Sequence, residues 1–489
     1  MHGRLRFDDL IVVLPGIGGS TLHRDGVPVW QPPLALGGLL RRSGRALEAL
    51  AGDPRLLDDP DHDDGIVPTG LIGLPVAIPG LAKLNQYGRL RRALHGCFDL
   101  VPGDCAVDGG PANLFEFAYD WRRDNRVSAL RLKALVDREL PKWARTLPYG
   151  RPKVVLLCHS MGGLVAKYYL DVLGGWEHCR TAITFGAPFR GSLAALDVLA
   201  NGVRAPGVRL DAVSEVLGAF TSVHQLLPRY PVLLDRRPGT PAGQAPLHVH
   251  RSPVRLGSLD PARAKAAYED FHLRMDAHAP GPAVPLLPVV GYGHRTAQTA
   301  VFDGSRLRVT TDPEALGEER HRFATGDRSV PAVAAIPVEL SERPTWGWEN
   351  ATHSTIHATD GVLERLLRLL ASLGSGLEDL QAPAGGPEPG TDDPCGAFPA
   401  GPDPLALGID VDDVHAEGEP VVVTCRGRGV TTGARPPVLT LSPPCPPDRV
   451  TLDEHEGAAR WTVTGLAPGV HEATASFDGR TVTDVFEVW

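Results

Sequence analysis

Apolar and polar positions alternate with two different periods along this chain. Short apolar runs occur at Ile11–Leu14, Val154–Cys158 and Ala182–Phe185, and Leu164–Leu173 has the apolar spacing of a helix. Strands that alternate with helices predict a parallel sheet covered on both faces. A last amphipathic stretch begins at Val362, which predicts a helix that closes this part of the chain.

The pattern changes after about residue 373. The segment to Pro404 is rich in Gly, Pro and Asp and has no apolar periodicity, which is typical of a linker. Beyond it, Ala473, Ala475 and Phe477 alternate with polar residues, and the alternation resumes after the turn at Asp478–Gly479. Short strands bounded by turns predict a small all-β sandwich. We therefore predict an α/β domain over residues 1–375, a linker over 376–404 and an Ig-like β-sandwich over 405–489.

Composition and charge exclude several classes of protein. The chain has 489 residues, of which 43% are hydrophobic and 22% are charged, so it is not disordered throughout. Lys and Arg number 49 against 58 Asp and Glu, giving a net charge of −9. Binding to nucleic acid requires dense positive charge, and we therefore expect no nucleic-acid partner.

We expect neither a secretory signal nor a membrane span in this chain. The first residues reach an apolar strand at once, without a separate apolar region and cleavage site. We expect a soluble, cytoplasmic protein, with peripheral membrane contact left open. Seven scattered Cys contain no CxxC pair, so free thiols are expected, although Cys97 and Cys105 could pair if oxidised. No metal or cofactor is predicted.

The strongest chemical motif lies between the best strand and the best helix. Cys158–Gly163 reads Cys-His-Ser-Met-Gly-Gly, which is typical of a nucleophile elbow. Such a turn strains the backbone of Ser160, and the positions two before and two after the serine must be small. Gly162 satisfies the second condition, and Cys158 stands where Gly is usual. The alternative is an ordinary serine at a strand-to-helix turn.

Two backbone amides are needed to stabilise the oxyanion of an attacked ester. Met161 follows the nucleophile and is predicted to supply one amide. The Gly-rich segment Leu14–Ser20 follows an early strand, and Ile17 is predicted to supply the other. The alternative for this loop is a phosphate cradle, but it lacks the Lys-Ser/Thr ending and the dinucleotide spacing.

A serine hydroxyl needs a base and an orienting acid, in the chain order Ser, Asp/Glu, His. Asp327, in a Gly-Asp turn before Val330–Pro331, is the predicted acid; the alternative is a plain turn residue. His353 and His357 both precede the last helix, and His353 is the predicted base because it falls in the loop. His357 is predicted to be a surface or capping residue. As a zinc pair the two histidines lack the accompanying Glu and a third ligand.

These segments together resemble the lecithin:cholesterol acyltransferase family, which includes lysosomal phospholipase A2. They run in the family's order over about residues 10–373, roughly three quarters of the chain. The matching segments are Leu14–Ser20, Phe117–Arg122, Cys158–Gly163, Ile183–Ser192, Gly326–Pro331 and His353.

The resemblance implies an α/β-hydrolase fold with Ser160, Asp327 and His353 as catalytic triad, and Ile17 and Met161 as oxyanion hole. The spacing from His353 to the last helix also resembles the family's. Cap or lid insertions are expected near residues 30–85 and 200–256. The C-terminal domain is not part of the family's common core.

The insertions bear on the substrate. An apolar cap formed by Gly70–Leu81 and by the lid-like segment around Ser222–Tyr230 would suit an acyl chain, although any one of these residues more often simply packs on the sheet. Tyr119–Arg122 is predicted to be a buried structural brace rather than a substrate contact.

We predict a serine-dependent acyl-ester hydrolase or O-acyltransferase that acts on lipids through an acyl-enzyme. One alternative is a soluble carboxylesterase for small acyl esters. Another is a non-catalytic binding protein on a hydrolase scaffold. The C-terminal domain is expected to be a place where a protein or carbohydrate partner could bind.

Overall fold

The computed structural model describes residues 4–31, 44–53, 58–85, 87–148, 151–205, 208–241, 243–278, 286–319, 323–341, 347–374, 402–403, 406–431, 436–455 and 457–489. Its α-helices are α1 Gly44–Ala51, α2 Gly88–Cys97, α3 Asn125–Ala144, α4 Gly162–Asp171, α5 Leu193–Asn201, α6 Asp211–Ala219, α7 Thr221–Gln225, α8 Pro261–Ala267, α9 Leu273–Ala277 and α10 Asp360–Gly374.

The strands of the first part of the chain are β1 Leu5–Arg6, β2 Leu10–Leu14, β3 Ser20–Arg24, β4 Val27–Trp30, β5 Ile66–Leu71, β6 Val76–Ile78, β7 Ala82–Leu84, β8 Phe98–Asp99, β9 Pro102–Gly103, β10 Leu114–Glu116, β11 Val154–His159, β12 Cys179–Phe185, β13 Arg204–Ala205, β14 Val208–Arg209, β15 Leu233–Asp235, β16 Leu286–Gly291, β17 Thr299–Phe302, β18 Leu307–Thr310 and β19 Gly347–Glu349. The later strands are β20 Gly408–Asp410, β21 Val414–His415, β22 Val421–Arg426, β23 Val438–Ser442, β24 Val450–His455, β25 Ala458–Val463, β26 Gly469–Phe477 and β27 Arg480–Val488.

A seven-stranded parallel sheet forms the centre of the first part, in the order β19-β16-β12-β11-β2-β10-β9. Every residue of β2 and β11 is buried, which explains why these strands read as continuous apolar runs rather than as alternating ones. The predicted runs at Ile11–Leu14, Val154–Cys158 and Ala182–Phe185 all lie in this sheet. The predicted α/β-hydrolase fold class is confirmed.

Helices cover both faces of the sheet, and alternate strand residues enter different cores. On one face Leu10, Val12 and Leu14 of β2 pack in a cluster that includes residues of α3 and α4. On the other face Ile11 and Val13 pack with residues of α2 and α10. This is the period of two that a strand imposes on its side chains. The sheet is thereby fixed between two layers, and its carboxyl edge is left to carry the site.

The first predicted cap insertion folds largely into short strands, and the second contains helices as well. β3, β4 and β5 form a three-stranded sheet, and β6 pairs with β7 in a small hairpin. The Gly70–Leu81 run therefore holds strands and turns rather than a helix, as its Gly and Pro content indicated. In the second insertion, the described part contains α6, α7 and β15. Residues 32–43 and 54–57 of the first insertion lie outside the described residues.

The C-terminal part consists of two four-stranded sheets, β20-β22-β25-β24 and β21-β27-β26-β23, and all pairs are antiparallel except β21 with β27. Residues that face each other across the two sheets form one apolar core that includes Val423, Trp461, Ala473 and Phe486. Asp478 and Gly479, both with positive φ, make the turn between β26 and β27. Apart from Pro402 and Asp403, the predicted linker lies outside the described residues, and the domain boundaries stay a prediction.

The C-terminal sheets contact the first part of the chain through charged side chains. Lys83 Nζ lies 2.9 Å from Asp484 Oδ2 and 3.0 Å from Asp413 Oδ1. Arg328 Nη1 lies 3.1 Å from Asp484 Oδ2 and 3.0 Å from Asp410 Oδ1. We call these five residues the ionic seam. β27, which carries Asp484, also packs against the β6–β7 hairpin.

Among the described residues, no helix combines the length and the apolar character that crossing a bilayer would require.

Candidate active site

Ser160 occupies the sharp corner between β11 and α4. Its φ of 52° lies in the left-handed region that a non-glycine residue seldom adopts, as predicted for a nucleophile elbow. Its N–H donates to the carbonyl of Phe185 at 3.0 Å, which ties the corner to the neighbouring strand β12. A Cβ on Gly162 would lie 2.6 Å from the carbonyl oxygen of Pro15, so this position accepts only glycine. We call Cys158–Gly162 the serine corner.

The structure brings together the three residues predicted as nucleophile, acid and base. His353 Nε2 lies 2.8 Å from Ser160 Oγ, and His353 Nδ1 lies 2.8 Å from Asp327 Oδ2. All three are buried: Ser160 is 4% exposed, Asp327 is 1% exposed and His353 is 2% exposed. Hydrogen bonds of this length between buried groups hold the imidazole in one orientation between hydroxyl and carboxylate.

Asp327 is held by the backbone around it. Its Oδ1 accepts from the N–H groups of Ser329 at 3.0 Å and Val330 at 2.7 Å, which leaves Oδ2 for His353. The N–H of His353 in turn donates to the Asp327 carbonyl at 2.8 Å. The pair is therefore positioned by main-chain contacts as well as by its own side-chain bond.

Gly186 directly follows strand β12 and lies close to Asp327 and His353. It has a φ of 58°, and a Cβ there would lie 2.6 Å from Asp327 Oδ2 and 3.1 Å from His353 Nδ1. A side chain at this position would collide with the two atoms that must stay in contact.

The two residues predicted as oxyanion donors, Ile17 and Met161, lie in two segments that both adjoin Ser160. Met161 is the N-cap residue of α4, directly after Ser160. The Leu14–Ser20 loop reaches the serine, because a Cβ on Gly16 would lie 2.8 Å from Ser160 Cβ. The Gly16 N–H donates to the Tyr87 hydroxyl at 3.0 Å and is already engaged, so the next amide, that of Ile17, is the better candidate in this loop.

The segment Tyr119–Arg122 forms hydrogen bonds to the backbone of the Leu14–Ser20 loop. The Tyr119 hydroxyl donates to the carbonyl of Pro15 at 2.9 Å, and Trp121 Nε1 donates to the carbonyl of Ser20 at 3.2 Å. Arg122 Nε and Nη2 bind Asp120 at 2.9 and 2.6 Å. All four residues are buried, which confirms the predicted structural brace.

Two groups beside the serine are kept neutral by burial. The pKa of the Cys158 thiol is raised well above its usual value because burial disfavours a thiolate, so this cysteine stays protonated beside Ser160. The pKa of His159 is lowered well below 6.5, first by burial and then by the neighbouring His357 and His353. His159 is therefore neutral at physiological pH.

The prediction for His357 is wrong. It was expected at the surface or as a cap, but it is 0% exposed, and its ring centroid lies 4.6 Å from His159 and 4.7 Å from Tyr87. The start of α10 turns this side chain inward, under the serine corner. His353, four residues earlier, is the histidine that reaches Ser160.

A cavity of about 160 Å³ adjoins Asp327 and His353, and residues from both parts of the chain line it. Asp327 and His353 share this cavity with Lys83, Asp413 and Asp484 of the ionic seam. Sequence reasoning missed these seam residues. Lys83 gave one usable signal, because it is the single charge in the apolar stretch Leu71–Leu84.

The described cysteines, Cys97 and Cys105 among them, are free thiols. Over the described residues, no group of three or more His, Cys, Asp and Glu has an arrangement that could hold a metal ion.

Part of the chain matches a known protein family. Residues 109–239 match the sequence profile described as lecithin:cholesterol acyltransferase, about a quarter of the chain. The chain resembles the lecithin:cholesterol acyltransferase family. The matched segment holds Tyr119–Arg122 and the serine corner, whereas Asp327 and His353 lie beyond it. The predicted resemblance is confirmed, and it supports an acyl-ester hydrolase or acyltransferase.

No curated protein matches the sequence. Among solved structures, the Bacillus licheniformis lipase BlEst2 in mature form is 13% identical, with a TM-score of 0.31, over 74% of this chain and 91% of its own. The same lipase in propeptide form is 12% identical, with a TM-score of 0.32, over 98% of this chain and 73% of its own. The titin M3 domain is 15% identical, with a TM-score of 0.14, over 17% of this chain and 95% of its own.

Proposed function

We propose that this protein is a serine-dependent acyl-ester hydrolase or O-acyltransferase that acts on lipids through an acyl-enzyme. The observation that carries the proposal is the continuous line of contacts from Asp327 through His353 to Ser160, each 2.8 Å long. A serine hydroxyl is a weak nucleophile, and a base at this distance can remove its proton as attack proceeds.

In the proposed acylation, Ser160 Oγ attacks the ester carbonyl carbon while its proton passes to His353 Nε2. The carbonyl π electrons move to the oxygen, which the N–H groups of Ile17 and Met161 would stabilise as an oxyanion. When the tetrahedral intermediate collapses, the bond to the leaving alcohol breaks and His353 returns the proton to that alcohol. Asp327 accepts the Nδ1–H throughout and stabilises the imidazolium.

In the proposed deacylation, a water molecule or an acceptor alcohol attacks the acyl-enzyme. His353 takes the proton of the attacking group and gives it to Ser160 Oγ as the acyl bond to the serine breaks. Water yields a fatty acid, and an alcohol yields a new ester. The same residues serve both outcomes, so the acceptor decides between hydrolysis and transfer.

A lipid substrate is supported by the family match over residues 109–239. The β6–β7 hairpin contributes Gly80, Leu81 and Ala82 to the cavity wall beside His353. The rest of the wall is mainly polar or charged, so the lipid assignment rests on the family match.

The test is product analysis by mass spectrometry after incubation with mixed phospholipid vesicles. We expect lysophospholipid and fatty acid, or a transferred acyl ester, with the wild type, and a loss of about 10⁴-fold or more with Ser160→Ala. Ser128→Ala is the control, since Ser128 is also buried but lies on α3, away from His353. Equal turnover by Ser160→Ala and the wild type would overturn the proposal.

A second candidate is a carboxylesterase for small acyl esters. The observation that favours it is the cavity beside the base, about 160 Å³, because pockets for larger ligands usually measure about 300–1,000 Å³. Rates with p-nitrophenyl acetate, butyrate, octanoate and palmitate separate the two. A maximum at acetate or butyrate together with inactivity on vesicles favours the small-ester enzyme, and a maximum at octanoate or palmitate favours the lipid enzyme.

A further inference from the structure

Tyr87 and His159 connect the backbone of His353 to the Leu14–Ser20 loop. The Gly16 N–H donates to the Tyr87 hydroxyl oxygen at 3.0 Å. The Tyr87 hydroxyl lies 2.9 Å from His159 Nδ1, and His159 Nε2 lies 2.8 Å from the carbonyl oxygen of His353. These three contacts form an unbroken line from one side of Ser160 to the other.

Only one placement of protons satisfies every member of this line. The Gly16 N–H can only donate, and the His353 carbonyl can only accept, so His159 must carry its proton on Nε2. A neutral imidazole then has an unprotonated Nδ1, which accepts the proton of the Tyr87 hydroxyl. Burial together with the adjacent His357 and His353 lowers the pKa of His159, which keeps it neutral.

The line is buried along its whole length. Tyr87 is 2% exposed and His159 is 1% exposed, and Gly16 is buried as well. The His357 ring packs against both Tyr87 and His159. Because water does not replace a lost partner here, each contact is expensive to break, and the three distances are therefore fixed together.

The two ends of the line meet the reacting groups from opposite sides. The Gly16 end is in van der Waals contact with the serine, since a Cβ there would lie 2.8 Å from Ser160 Cβ, and it precedes the candidate oxyanion donor Ile17. The His353 end belongs to the candidate base. A tetrahedral intermediate on Ser160 must meet both the imidazole and the oxyanion donors, so their separation has to be correct to within a fraction of an ångström.

We propose that His159 and Tyr87 are positioning residues that set the separation between the His353 imidazole and the Ile17 amide. This inference rests on the serine mechanism proposed above. In that mechanism neither His159 nor Tyr87 contacts the substrate. They act through the backbone of His353 and of Gly16.

Tyr87→Phe is the sharpest test, because it removes one hydroxyl and leaves the ring between His159 and His357. We expect kcat for p-nitrophenyl butyrate to fall about tenfold to a hundredfold, since small misplacements of reacting groups have effects of this size. KM should stay within about twofold, and the melting temperature should fall by a few degrees, because the Gly16 N–H and His159 Nδ1 each lose a buried hydrogen-bond partner. Tyr169→Phe is the matched control, because Tyr169 is 0% exposed on α4 and makes no contact with the triad candidates in the described structure.

A pair of variants at His159 separates positioning from packing. His159→Phe keeps a ring but neither hydrogen bond, whereas the amide of His159→Gln can accept from Tyr87 and donate to the His353 carbonyl. We expect Gln to recover part of the kcat that Phe loses. In the double variant Tyr87→Phe/His159→Phe, the loss should be smaller than the product of the single losses, because both substitutions break the same line.

Two results would overturn the inference: a kcat of Tyr87→Phe within twofold of the wild type, or losses that multiply in the double variant. If His159→Phe fails to fold, the Tyr87→Phe and His159→Gln variants still decide it. Ser160→Ala distinguishes the two proposals. If wild-type turnover survives Ser160→Ala, the serine mechanism fails; if it is lost while Tyr87→Phe matches Tyr169→Phe, the positioning inference alone fails.

Discussion

Two regions meet at His353: the buried serine corner and the partly buried ionic seam. The serine corner holds neutral side chains at the end of the fully buried strand β11, and backbone contacts such as the Ser160 N–H to Phe185 carbonyl bond fix its shape. The ionic seam holds two cations and three carboxylates that join β6–β7 and the Asp327 turn to the C-terminal sheets.

The difference shows two ways to fix a site. In the serine corner, position comes from strand, turn and helix geometry, and polar groups are few and satisfied. In the seam, position comes from charge pairs, which remain stable in a buried setting only while every partner is present. Changes at the corner should therefore alter chemistry with little loss of stability, and changes at the seam should alter stability first.

The largest effect on catalysis is expected for the substitution Asp327→Asn. We expect kcat to fall by about 10⁴-fold, because the amide cannot stabilise the imidazolium or hold the required tautomer. Steady-state hydrolysis of p-nitrophenyl butyrate measures it. Asp360→Asn serves as the control, since the Asp360 side chain is 95% exposed at the start of α10. A loss of only a few fold at Asp327 would remove it from the mechanism.

At the seam, Asp484→Asn is expected to lower the free energy of unfolding by about 3 kcal/mol. Its carboxylate is 1% exposed and serves both Lys83 and Arg328, although each cation keeps another Asp partner. Urea denaturation followed by circular dichroism measures the change. Asp478→Asn, at a side chain 80% exposed in the adjoining turn, should change it by less than about 0.5 kcal/mol. Equal effects of the two substitutions would contradict the comparison.

The third effect is a dependence of stability on pH and concerns His294, which accepts the Ile409 N–H at 3.3 Å beside the seam. Burial lowers the pKa of His294 to about 4, and the nearby Asp484, Arg328 and Asp327 modify it. An unfolded histidine binds its proton near pH 6.5, so between about pH 6.5 and 4 the unfolded chain holds more protons. Stability should therefore fall as pH falls through this window, by up to about 1.4 kcal/mol per pH unit from this group.

His294→Gln should make this slope shallower, as measured by urea denaturation at a series of pH values, whereas the exposed His178→Gln should not. An unchanged slope in His294→Gln would show that other groups account for the acid sensitivity.

Much of the serine corner could be predicted because its chemistry is local in sequence. A strand, a strained serine, a small residue at Gly162 and a helix follow one another within a few positions, and backbone geometry demands them in that order. Asp327 and His353 could be proposed from chain order and turn context. His357 was misplaced because sequence distance to a helix does not say which way the first turn faces.

The seam and the Tyr87–His159 line could not be predicted, for a physical reason. Lys83, Arg328 and Asp484 are separated by more than a hundred residues each, and only the docking of the C-terminal sheets brings them together. Tyr87 meets His159 only after α2 has packed under the sheet. Periodicity identifies the elements, but it does not say which charged side chains two separate sheets will share.

The seam also means that the electrostatic field at His353 is set partly by residues outside the parallel-sheet body. With all five seam residues present, two positive and three negative charges give a balance of −1. A shortened chain without residues 405–489 would keep Lys83 and Arg328 but lose all three carboxylates, leaving +2 beside the imidazole that the proposed mechanism makes positive. Such a truncation would therefore change the charge balance next to His353 from −1 to +2, in addition to removing the C-terminal β-strands.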